Sequence, residues 1–152
     1  MDIMSYLSGY VDGEGSFCVS FSPSKRHLLG WEVRPSFSVS QNYNRAEVLN
    51  LLKEYFDYGT IRPDRSDNTL KYEIRSITVL IEKVIPHFEE YPLLSNKQKD
   101  FEIFAEICKK IYRKEHLTSK GFEEIVKLAF YMNPSGIRKY SQDFILKSIK
   151  LR

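Results

Sequence analysis

The chain is poor in the residues that would make it a secreted scaffold or a membrane protein. It has two cysteines in 152 residues, Cys18 and Cys108, far apart and with no CxxC. That leaves no disulfide framework or paired-thiol motif, and the expectation is two reduced packing cysteines in an intracellular protein. No apolar run approaches the ~20 residues needed to cross a bilayer, and no signal peptide precedes the first helix, so a soluble chain is expected. Low-complexity segments and long linkers are missing too, which favours one domain over residues 1–152. Charge of one sign is scarce: 23 Lys and Arg against 20 Asp and Glu leave +3. So mild an excess points only weakly to a polyanionic partner, and its distribution matters more. What is plentiful is apolar material, 42% hydrophobic and 14% aromatic. A chain of this length buries about two-thirds of its unfolded surface.

The most informative stretch is Leu7-Ser8-Gly9-Tyr10-Val11-Asp12-Gly13-Glu14-Gly15-Ser16. Ile3, Leu7, Tyr10 and Val11 recur at helical spacing, with Asp2 placed to cap the helix. Gly9 and Gly13 lie four apart on one side. Interior glycine costs about 1 kcal/mol against alanine, so the pair suggests a close approach between two such helices. Gly13 and Gly15 around Glu14 suggest an exit through unusual dihedrals. Glu14 is thereby offered at a helix end where dipole and carbonyls repel it, a repulsion that a divalent cation would relieve. An EF-hand is excluded, because its sixth position would be Phe17 and its twelfth Pro23. A dinucleotide loop is excluded because a strand follows instead of a helix.

Phe17, Val19 and Phe21 then alternate with polar neighbours. After a polar turn, Pro23 to Gly30, so do Trp31, Val33, Phe37 and Val39, giving two strands with one buried and one wet face. Asn44 and Glu47 read as a capping pair for a helix through about Tyr58, ended by Gly59. A second strand pair follows, with Thr60, Arg62 and Asp64 outward in one and Lys71, Glu73 and Arg75 outward in the other, joined by Arg65-Ser66-Asp67-Asn68. Ser76 or Thr78 opens a helix ending near Glu90. Ser95 with Gln98 forms a further capping box for the longest helix, to about Lys114. Helices from Thr118 to Met132 and Ser141 to Lys150 flank a Pro134-Ser135-Gly136 turn. The expected class is α+β with an antiparallel four-stranded sheet, an αββαββα core over about 1–116, and C-terminal helices over about 117–152.

The wet side of that sheet carries Ser20, Ser22, Ser24, Glu32, Arg34, Ser36, Ser38, Arg62, Lys71, Glu73 and Arg75. Short hydroxyls leave room for a wide ligand and can meet base edges, and arginine pairs bidentately with guanine. Lys25, Arg26 and His27 at one hairpin tip and Arg65 at the other suit phosphates.

The decapeptide resembles the LAGLIDADG motif of homing endonucleases, with glutamate in place of the last aspartate. The likeness to the single-motif members extends over most of the chain, through Gln41, Arg45 and Lys97-Gln98-Lys99. It implies a β-sheet saddle over double-stranded DNA and a homodimer with Leu7, Gly9, Tyr10 and Gly13 at the interface. By position it makes Glu14 the ligand of Mg²⁺ together with the carbonyl of Gly13. Mn²⁺ is expected to substitute, and Ca²⁺ to bind without supporting cleavage. It makes Gln41 the residue ordering solvent at the scissile phosphate, and Arg45 and Lys97 the basic residues at the reacting centre. No organic cofactor or membrane is implied. The protein would work in whichever compartment holds its host genome, be that bacterial cytoplasm, chloroplast or mitochondrion. An intron-encoded RNA maturase and a non-catalytic DNA-binding regulator of the same fold are the alternatives.

Overall fold

The computed structural model describes residues 1–64, 68–133 and 138–150, Lys150 without its side chain. The turn residues Arg65, Ser66 and Asp67 and the Pro134-Ser135-Gly136 turn lie outside the described residues. The fold is α+β with a four-stranded antiparallel sheet in the order β1-β2-β4-β3. The strands are β1 (Gly15–Pro23), β2 (Trp31–Asn42), β3 (Thr60–Pro63) and β4 (Thr69–Ile74). The helices are α1 (Ile3–Glu14), α2 (Glu47–Phe56), α3 (Ile77–Val79), α4 (Ile85–Glu90), α5 (Lys97–Tyr112), α6 (Ser119–Ala129) and α7 (Gln142–Lys150). Contacts divide the chain into two compact units, Met1–Phe17 with Ser36–Gln98 and Cys18–Pro35 with Lys99–Arg152.

In the first unit, Asp2 caps α1 as expected: its Oδ1 accepts from the Met4 amide at 3.1 Å and its Oδ2 from the Ser5 hydroxyl at 2.6 Å. Leu7 and Val11 are fully buried. The glycines after them act differently from the expectation. Gly15 is extended (φ −89°, ψ 167°), and neither it nor Gly13 has positive φ. A Cβ on Gly15 would meet Val11 Cγ1 at 2.6 Å and the Val11 carbonyl oxygen at 2.9 Å. Glycine is needed there because the strand leaves against the last helical turn, not because of a special dihedral.

Around Phe37 pack Phe17 and Phe88 with tilted rings and Phe56 and Tyr72 edge-on, the latter a geometry that aromatic quadrupoles favour. The β2–β4 register sets Phe37 opposite Ile74 and Ser38 opposite Glu73. Asn44 does not cap α2. Tyr43–Arg45 form a 3₁₀ turn, and the helix starts at Glu47 without a side-chain cap. It stops at Phe56 because Asp57 turns left-handed (φ 51°). Gly59 (φ 111°) follows, and a Cβ there would strike the Tyr72 ring. Ser76 caps the next helical run through the Val79 amide, and a π-helical stretch, Leu80–Val84, joins α3 to α4.

In the second unit, Val19, Trp31, Phe104, Ile107, Phe122 and Ile125 are core residues. Along β1, buried and exposed residues alternate from Gly15 to Ser22 as expected. That alternation puts Cys18 on the exposed side, so only Cys108 is a packing cysteine. Thr118 caps α6 by accepting from the Gly121 amide at 3.0 Å, and α6 ends at Ala129, short of Met132. Arg138 donates to the carbonyls of Val19 and Ala129 at 2.5 and 2.7 Å and covers the Phe130 ring.

Candidate active site

Glu14 is the last residue of α1, exposed, and without a hydrogen-bond or ion-pair partner among the described residues. Its neighbourhood is built by an exchange of charges between two helix ends. The carbonyls of the last turn of α1 are the negative end of its dipole. Lys97, the first residue of α5, sends its ammonium there, donating to the Val11 carbonyl at 3.0 Å and the Gly15 carbonyl at 2.6 Å. In return, Asp12 caps the chain entering α5. Its carboxylate accepts from the Leu94 and Ser95 amides at 3.1 Å each, and from the Ser95 hydroxyl. Burial would raise the Asp12 carboxyl, but these hydrogen bonds and the Lys97 charge outweigh it and hold its pKa below the ordinary value.

This changes the expected capping box. Ser95 Oγ does accept from the Lys97 amide at 3.2 Å, but Gln98 turns to the Leu93 amide at 3.0 Å. Asp12 has taken the Ser95 amide that Gln98 would have filled. Asp12 is the site residue that sequence reasoning missed. The signal was a second acid in the decapeptide, two residues before Glu14, next to a serine-headed helix.

Gln41, paired with Arg45, meets α1 at Tyr10. Gln41 Nε2 donates to the Tyr10 hydroxyl at 2.8 Å, while its Oε1 accepts from the Asn42 amide at 2.8 Å and from Arg45 at 3.3 Å. The structure thus groups Gln41 and Arg45 with Tyr10, and Lys97 with the carbonyls on either side of Glu14. Gly9 and Gly13 are exposed, and a Cβ on either would find nothing within 4 Å. Leu7, placed by sequence at a subunit interface, is instead fully buried within its own unit. Among the described residues no three His, Cys, Asp or Glu side chains gather where they could hold an ion.

Of the sheet residues in the first unit, Arg62 and Arg75 are exposed and Ser36 and Lys71 half-buried. Ser38 and Glu73 depart from the expectation of a wet face, being 8% and 7% exposed. They are register partners in the middle of the sheet, where Arg62 and Arg75 close over the carboxylate. In the second unit, Ser20, Ser22, Lys25, Arg26 and Arg34 are exposed, and Ser24, His27 and Glu32 are half-buried. Arg34 pairs with Glu32 at 3.0 Å, and Ser24 Oγ lies 2.8 Å from His27 Nδ1 in the hairpin turn. Arg65 falls outside the described residues.

A helix whose end presents a lone carboxylate, followed by two strand pairs with outward arginines and serines, is the arrangement the decapeptide led us to expect. Comparison with known proteins agrees. The family described as LAGLIDADG endonuclease matches residues 7–108, and the chain belongs to that family. It is 35% identical over 124 residues to probable intron-encoded endonuclease 2 of Neurospora crassa, an alignment covering 81% of this chain and 27% of that protein. The chain thus spans about a quarter of the length of such curated relatives. The archaeal intron-encoded homing endonuclease I-Vdi141I, solved in complex with DNA, superposes with a TM-score of 0.90 at 30% identity, over 98% of this chain and 95% of that one. I-SmaMI, bound to an uncleaved DNA target in the presence of calcium ions, gives 0.85 at 31% identity, over 90% of this chain and 46% of that one. No described helix is long and apolar enough to cross a membrane.

Proposed function

We propose that residues 1–152 act as one Mg²⁺-dependent, sequence-specific endonuclease domain that cuts both strands of DNA as a homodimer. The observation carrying this reading is the Glu14 carboxylate, delivered by a well-anchored helix and left without a protein partner among the described residues. Two such acids serve two strands, and isologous pairing of α1 through Gly9, Tyr10 and Gly13 gives a long pseudo-palindromic target. The open space at both glycines and the near-full match to one I-Vdi141I chain but under half of the I-SmaMI chain support this pairing.

The donors fit the metal. Glu14 offers carboxylate oxygens, and Gly13, in the last turn of α1, offers a carbonyl without an intrahelical amide. Mg²⁺ takes one or two carboxylates with water and substrate phosphate making up the rest. When bound, it supplies charge stabilisation and a lowered pKa for water. The chain's own groups hold and orient. Lys97 fixes the carbonyls around Glu14 and adds positive charge beside the scissile phosphate. Gln41 has both Oε1 lone pairs and one Nε2 hydrogen engaged, so its remaining N–H is the group left to order solvent. Arg45 holds that amide and adds a second cation. Ser36, Arg62, Lys71 and Arg75 of the first unit, and Ser20, Ser22, Ser24, Lys25, Arg26, Glu32 and Arg34 of the second, are the residues each unit offers to DNA, and the enzyme works wherever its host genome resides.

Glu14→Gln removes the charge and keeps the shape. Cleavage with Mg²⁺ should fall about a thousandfold or more, given the several kcal/mol that a metal ion contributes. Binding to the same duplex in Ca²⁺ should persist. Nicking at the wild-type rate by this variant would remove Glu14 from the chemistry.

A further inference from the structure

Glu73 does not behave as a residue that reads DNA. On β4 it lies between Lys71 and Arg75, yet its side chain is only 6% exposed against 26% and 50% for theirs. Both its oxygens are occupied. Oε1 accepts from Arg62 at 2.9 Å and lies 3.1 Å from Arg75 Nε, and Oε2 lies 3.8 Å from Lys71 Nζ. Arg62 comes from the neighbouring strand, in register with Lys71. Burial would raise the carboxyl, but the Arg62 hydrogen bond and the Arg75 and Lys71 charges outweigh it, so the group stays anionic at neutral pH. Three cations around one anion leave an excess of two positive charges. Arg62 and Arg75 line an open cavity of about 800 Å³, and Arg75 is paired through Nε, which leaves its terminal nitrogens, the fork that matches guanine O6 and N7.

We propose that Glu73 is a positioning residue for DNA recognition: it contacts no base, and it holds Arg62 and Arg75 on one carboxylate oxygen so that both guanidinium groups meet guanine edges as a preset pair. This rests on the DNA-cleaving reading above. A free arginine loses rotamer freedom when it binds, whereas one already held by a carboxylate loses less. The carboxylate therefore aids specific binding although its charge opposes phosphate.

That conflict of signs supplies the test. Preferred duplexes are selected from a randomised library by the wild-type chain in Ca²⁺. Glu73→Gln is then measured on a selected and on a scrambled duplex. Affinity for the scrambled duplex should stay equal or rise, while affinity for the selected one falls tenfold or more, with the lost preference confined to a few guanine positions. In an Arg62→Gln/Arg75→Gln background, Glu73→Gln should cause no further loss. Binding of the selected duplex as tightly as wild type, with every base preference intact, would overturn the assignment. Should Glu73→Gln not fold, the two arginine variants carry the same test: each single change should lose nearly as much preference as both together, and independent additive losses would overturn it. A wild-type chain that enriches no sequence would overturn the DNA reading itself, and this inference with it.

Discussion

Acid should loosen the motif helix through one histidine. His87, on α4, is 5% exposed. Its Nε2 lies 3.0 Å from the Ser8 hydroxyl of α1, and that hydroxyl donates to the Tyr91 carbonyl at 2.6 Å. With the Ser8 proton committed, Nε2 must carry the imidazole hydrogen, and Nδ1 accepts from the Tyr55 hydroxyl at 2.8 Å. The neutral ring is thus fully satisfied. A second proton would place a charge among the rings of Phe56, Phe88 and Tyr91. Burial pushes the pKa down from 6.5 to about 4, against the smaller upward pull of Asp2. Because the folded value lies below the unfolded one, the unfolded chain takes up the proton first. Stability is fully present above pH 6.5 and is lost as pH falls toward 4. At 1.36 kcal/mol per pH unit, the gap of about 2.5 amounts to about 3 kcal/mol.

Urea unfolding of wild type and His87→Gln from pH 7 to 4.5 isolates this contribution, because the carboxylates common to both proteins cancel. The free-energy difference between them should change by about 2 kcal/mol across that range. The chain has three histidines, so an imidazole NMR titration is easily assigned, and one ring should titrate near 4. A His87 ring, identified by its absence from the spectrum of His87→Gln, that titrates near 6.5, or unfolding curves that stay parallel, would refute the reasoning.

Two further outcomes follow from the glycines of the motif. Gly15→Ala forces a Cβ against Val11 and its carbonyl, and should lower unfolding free energy by about 1–3 kcal/mol, the usual range for overpacking; a neutral result would contradict the close approach. A Cβ at Gly9 meets nothing within 4 Å among the described residues, so in Gly9→Leu thermal stability should hold or rise by up to about 1 kcal/mol from helix propensity. Sedimentation should nonetheless show monomers that no longer make double-strand breaks, and an intact dimer would refute the proposed pairing.

Much of this protein is local in origin and therefore legible in its residue order. The helix of the decapeptide, the alternation along β1, the serine and threonine caps at Ser76 and Thr118, and the outward arginines follow from spacings of two, three and four and from single-residue chemistry. The identity of Glu14 as the presented acid is of the same kind. What the sequence could not decide was how groups far apart in the chain compete. Asn44 and Glu47 have the letters of a cap, but a 3₁₀ turn that brings Arg45 to Gln41 displaces them. Gln98 has the letters of a capping box, but Asp12, more than eighty positions earlier, reaches the Ser95 amide first. Ser38 and Glu73 have the parity of a wet face, yet pairing across β2, β4 and β3 puts them mid-sheet, with two arginines closing over the Glu73 carboxylate. Local rules fix which backbone groups need partners and which faces are apolar. Only the assembled chain fixes which partner arrives, because hydrogen bonds and ion pairs are won by proximity in space.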